Sequence, residues 1–163
     1  MTTNFGVCLE ELFKEFNLSR PNRLTVLLDK CEIGGNFKTE LMSMVISSPR
    51  QHGLTTSIRN VYGNLPTMYV VPNVSELVTM TKMSSGVSNT ILHTTSDNGR
   101  VEGLYLSGTY VGYIESMVKS GNVPRVIFTG MLRELERGLK RHRIVNAIMD
   151  AVPGVYPDVL FLG

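Results

Sequence analysis

Apolar side chains recur at helical spacing from Val7 to Phe16, with Leu9, Leu12 and Phe13 between them and Glu10, Glu11, Lys14 and Glu15 opposite. This is the pattern of a short amphipathic helix. Pro21 pushes Arg20 toward extended geometry and breaks it. The Leu, Thr and Val of Asn22 to Lys30 then predict a first long strand. Ile33-Gly34-Gly35-Asn36 is a turn by composition. Phe37 to Ser47 predicts a second strand, with Leu41 and Val45 directed to a core.

From Ser48 to Pro72 the apolar positions lose their period. Pro49, Gly53, Gly63, Pro66 and Pro72 punctuate the stretch, which reads as a long excursion because proline cannot donate to a strand ladder. Glu76 to Met83 alternates like a strand. Ser96-Asp97-Asn98-Gly99 marks a hairpin with arms near Thr90–Thr95 and Arg100–Leu106. Thr109 to Lys119 is helical, closed by Ser120-Gly121-Asn122. Val123 to Gly130 is a strand by β-branching, and Asp158 to Leu162 a last short one. Met131 to Ala151 supports two readings. Leu132, Leu135, Leu139, Val145, Ile148 and Met149 fit a helix, whereas Gly138 as a turn would give strands Val126–Glu136 and Lys140–Met149. No internal repeat or dividing linker is evident, so residues 1–163 read as a single domain.

Composition adds limits. Hydrophobic residues make up 42% of the 163 positions and charged residues 18%, somewhat less charge than a soluble monomer carries. A net charge of +2 is too mild for a dedicated nucleic-acid binder. The basic stretch Arg133–Arg143, with Lys140-Arg141-His142-Arg143 at its end, carries the competing reading of a small nucleic-acid-binding module. Cys8 and Cys31 read as reduced thiols, Cys8 as a small core residue. The apolar runs are too short to span a membrane, and Met1 to Cys8 lacks the basic start and long apolar run of a secretory leader, so an intracellular protein is expected.

The search for chemistry yields little. His52, His93 and His142 are far apart, and no His or Cys pair has zinc-ligand spacing. The phosphate-binding Gly-x-x-x-x-Gly-Lys loop, the dinucleotide fingerprint and the Gly-x-Ser-x-Gly elbow are all missing. The expectation is a protein that is not an enzyme, with no catalytic residues, no metal and no cofactor.

The opening helix, followed by Phe16-Asn17-Leu18-Ser19-Arg20-Pro21-Asn22-Arg23 and an alternating segment, resembles the start of tail tube proteins of contractile-tailed phages, which are related to type VI secretion tubes. Gly34 to Ser48 is similar to that family's second strand, and Ile58 to Pro72 to the loop that reaches the next ring. Thr109 to Gly121 is similar to its flanking helix and Val123 to Pro157 to its closing hairpin. The resemblance implies a mainly β (α+β) fold, an antiparallel β-barrel or sandwich with one flanking helix and a short N-terminal helix. It also selects two strands for Val126–Met149.

The function so implied is that of a structural virion protein, in a tail tube or its baseplate or terminal extension. It would form stacked, hexameric rings that pass DNA without reading its sequence. The implied partners are copies of itself and neighbouring tail sheath or baseplate proteins, with no membrane. The location would be the virion tail, after assembly in the host cytoplasm. Arg20, Pro21, Asn22, Ile58, Tyr62 and Tyr69 are the expected subunit-interface residues. Ser48–Pro72 would be the contact segment, since an exposed apolar patch of that size marks a contact surface.

Overall fold

The computed structural model describes residues 4–29, 37–47, 53–71, 90–93, 108–129 and 141–163. Helices α1 (Asn4–Leu18), α2 (Arg20–Asp29) and α3 (Phe37–Met42) precede strand β1 (Ser43–Ile46). Then follow α4 (Leu54–Tyr62), β2 (Met68–Val71), β3 (Thr90–His93), α5 (Gly108–Lys119), β4 (Arg125–Thr129), α6 (Arg141–Ala151) and β5 (Asp158–Leu162).

Among the described residues the strands form one five-stranded sheet in the order β1-β5-β4-β2-β3, and every pairing there is parallel. The expected antiparallel barrel is therefore wrong: the protein is a mixed α/β domain. Its central strands β2, β4 and β5 are buried along almost their whole length. Continuous apolar strands such as Met-Tyr-Val-Val and Val-Leu-Phe-Leu are what a sheet covered on both faces requires.

Each face has its own core. Leu9 and Phe13 of α1 and Ile58 and Tyr62 of α4 pack on Tyr69, Val71, Ile127, Leu160 and Leu162. On the other face, side chains of α2, α3, α5 and α6 pack on Met68, Val70, Val126, Phe128, Val159 and Phe161. There the rings of Phe128 and Phe161 stack with centroids 5.0 Å apart. The topology explains the division of helices. The β1-to-β2 crossover runs toward the β3 edge, whereas β3-to-β4 and β4-to-β5 run back. Crossovers of one hand must then place α4 on one face and α5 and α6 on the other.

Other expectations change with the fold. Asn22–Lys30 was expected to be a strand, but α2 begins at Arg20 and carries Pro21 in its first turn. There proline's missing N–H costs nothing and its fixed φ suits a helix. Phe37–Ser47 divides into α3 and β1. The irregular stretch 48–72 contains α4 and β2. Thr90–His93 is a strand paired in parallel with β2, and the other arm of the expected hairpin lies outside the described residues. Arg141–Ala151 is a helix, so local propensity holds there against the hairpin. Residues 76–83, 96–106 and 130–140 lie outside the described residues.

One regularity escaped the sequence reading. Gly121-Asn122-Val123-Pro124-Arg125-Val126-Ile127-Phe128 and Gly154-Val155-Tyr156-Pro157-Asp158-Val159-Leu160-Phe161 share a Gly-x-x-Pro turn running into a strand. They lie side by side, with Arg125 opposite Asp158 and Phe128 opposite Phe161. Both glycines are left-handed, with φ of 74° and 81°. At the first, Asn122 donates its amide to Met117 O and Gly121 to Val118 O, a Schellman closure of α5.

Candidate functional site

In a parallel sheet all carboxyl ends fall on one edge, and ligands of such sheets bind there. At this edge β1 ends at Ile46, and α4 begins behind Gly53, which adopts φ 82° and ψ 19° at the N-cap without a side-chain cap. Ser57 makes the first helical amide bond, to Gly53 O at 2.8 Å. The amides of Leu54, Thr55 and Thr56 thus precede the ladder and carry the positive end of the helix dipole. Thr55 and Thr56 are exposed in this first turn. Residues 48–52, between strand and helix, lie outside the described residues.

Packing against α1 fixes α4. Ser57 Oγ donates to Gly6 O at 3.2 Å, and Asn60 Nδ2 to Glu10 Oε1 at 2.8 Å. Tyr62 OH donates to Asn17 Oδ1 at 3.1 Å, and the Phe13 and Tyr62 rings tilt together at 5.5 Å. Thr129, at the carboxyl end of β4, is buried and its Oγ1 has no hydrogen-bond partner. By strand alternation it shares the α4-covered face with Ile127. The chain diverges between β2 and β4, so Thr129 also borders the topological switch point.

A phosphate-binding loop of the Gly-x-x-x-x-Gly-Lys kind carries Ser or Thr at the next position. At that spacing this chain has Ser48, Gly53, Leu54 and Thr55. It keeps the second glycine and the hydroxyl residue but replaces the lysine with leucine. The strand before Gly53 and the helix after it were the missing signal.

The opposite edge holds a charge cluster. Arg20 and Arg23 of α2 each donate Nη1 to Asp158 Oδ1 at 3.0 Å. Arg23 also donates to Ser19 Oγ, Phe16 O and Leu41 O, and lies 3.9 Å over the Phe16 ring. Arg125 donates to Pro66 O and Val123 O at 3.3 Å, while its buried Nε has no partner. Burial pulls the Arg125 pKa below its ordinary value, against the pull of Asp158.

The expected interface residues occupy other surroundings. Arg20 is paired within the chain, and Pro21 and Asn22 are exposed on α2. Ile58, Tyr62 and Tyr69 are 2%, 0% and 1% exposed, so they fill the protein's own core. Cys8, expected inside, is exposed. Of the basic stretch, the described part is the start of α6, where Arg143 is exposed. Among the described residues no cluster of His, Cys, Asp or Glu suits a metal ion, and no helix is long and apolar enough to cross a membrane. Compared with models of known families, with curated proteins and with solved structures, the chain finds no match.

Proposed function

We propose that this protein is a phosphate-binding α/β domain that holds a phosphorylated small molecule, a nucleoside polyphosphate being the first candidate, at the carboxyl edge of its sheet. The observation that carries this reading is the β1–Gly53–α4 unit. Gly53 is left-handed at the N-cap, β1 precedes it in the chain, and the helix that follows opens with two exposed threonines and with amides ahead of its hydrogen-bond ladder. Backbone N–H groups and the helix dipole favour a phosphate at such a place. The unpartnered Thr129 hydroxyl at the same edge and on the same face supplies a further polar group.

Leu54 stands where a lysine would reach the outer phosphates. The site therefore favours binding without hydrolysis. The resemblance to tail tube proteins implies an antiparallel barrel, whereas the sheet here is parallel.

The test is titration of the purified protein with ATP, ADP and pyrophosphate by calorimetry. Binding is expected; Thr55→Ala should weaken it by roughly tenfold, as loss of a hydrogen bond to a charged group does, and Gly53→Ala should weaken it by straining the left-handed turn. Leu54→Lys should tighten it. Absence of binding by all three ligands at millimolar concentration would defeat the reading, as would affinity indifferent to Gly53 and Thr55.

A further inference from the structure

The two Gly-x-x-Pro turns that lead into β4 and β5 stand side by side at the amino edge, and with α2 they enclose a groove of about 340 Å³. Its apolar walls include Leu24, Val118, Pro124 and Val155, while Arg20, Asn122 and Tyr156 bring polar atoms to it. A side chain at Gly121 or Gly154 would meet nothing within 4 Å, so both turns open outward. The volume falls at the lower end of small-ligand sites, which combine mostly apolar walls with a few polar groups.

Charge identifies the occupant. Arg20, Arg23 and Arg125 converge on Asp158, the carboxylate to which the described ion pairs join Arg20 and Arg23. Arg23 is spent on Ser19, Phe16, Leu41 and Asp158, and Arg125 reaches Pro66 and Val123. Arg20 bonds Asp158 through Nη1 and lines the groove. A guanidinium carries five donors, so one Nη1 contact leaves Arg20 able to meet a second anion.

We propose that this amino-edge groove binds a small apolar monocarboxylate, with its carboxylate on Arg20 and its body between the two glycine turns. A monocarboxylate fits better than a polyanion because, among the described residues, Arg20 is the single cation lining the groove, and the apolar walls ask for an apolar body. The groove is separate from the carboxyl-edge site, and neither assignment depends on the other.

Phenylacetate is the probe, followed by backbone amide shifts in an NMR titration. Saturable shifts are expected at Gly121, Asn122, Gly154 and Tyr156. Phenylacetamide and inorganic phosphate should each bind at least about tenfold more weakly, the first for want of charge and the second for want of an apolar body. Arg20→Gln should remove binding. Asn122→Asp, which leaves the Arg20–Asp158 pair in place, should remove it by repulsion while the melting curve stays that of the parent. Equal binding of the amide, phosphate binding as tight as phenylacetate, binding unaffected by Asn122→Asp, or no saturable shifts would each overturn the assignment.

Discussion

The guanidinium of Arg23 and the carboxylate of Asp158, 135 positions apart in sequence, meet at 3.0 Å under the amino edge of the sheet. Helix α1 lies on one face and α2 reaches the other, so the chain passes beneath that edge between them. Arg23 and Arg20 fasten the passage to the first residue of β5. Asp158 is 1% exposed, and the two arginine side chains 12% and 14%.

Removing that carboxylate strands buried cations. Asp158→Ala is expected to cost about 3–5 kcal/mol, the usual penalty for breaking a buried pair from one side. Asp158→Asn should cost less because it keeps an acceptor. Arg23→Ala should cost more than Arg20→Ala, since Arg23 also serves Ser19, Phe16 and Leu41. Urea denaturation checks the ranking. A loss under about 1 kcal/mol for Asp158→Ala would show that apolar contacts alone hold the passage.

Alkali should unfold the protein through two tyrosines. Burial raises the Tyr69 hydroxyl pKa to about 12. Burial first, and then the charge of Asp158, carry Tyr62 higher still. Both folded values exceed that of an unfolded tyrosine. Their contribution is thus complete below pH about 10 and is lost as pH rises toward the folded values. The expected slope approaches about 1.4 kcal/mol per pH unit for each tyrosine above that point. Urea midpoints measured from neutral to strongly alkaline pH should show the decline, and the Tyr62→Phe, Tyr69→Phe double variant should flatten it.

Replacing Ile58, Tyr62 and Tyr69 together by Ser should abolish folding rather than release a smaller soluble species. Each deletion from the core costs about 2–5 kcal/mol, so three together reach the whole stability of an ordinary domain, about 5–15 kcal/mol. Circular dichroism with size-exclusion chromatography separates the outcomes. A folded variant with altered particle size would return these residues to an interface.

Elements with one clear local signal were legible. Asp158–Leu162 was expected as a strand and is one, and the helix closing at Lys119 has its glycine stop. The sheet's direction was not legible, because an apolar run such as Met68–Val71 is equally suited to either pairing. Pro21 misled because proline ends one helix and begins another, and only the position of Arg23 against Asp158 shows which. In the candidate site, Gly53 reads in the sequence as punctuation in a loop, and Thr55 carries no signal without β1 before it and α4 around it.

The place of β5 in the sheet bears on how the protein is made. Among the described strands β1 is joined only to β5, which separates it from β4. During synthesis β1 and α4 leave the ribosome roughly a hundred residues before β5 does, an interval of about 5–20 s at ordinary elongation rates. Throughout that time Leu160 and Leu162 are absent from beneath Ile58 and Tyr62. The nascent chain must therefore keep an apolar helix from straying until its neighbouring strand arrives. Strand β1, and with it the turn at Gly53, gains its neighbour in the sheet only once β5 has been made.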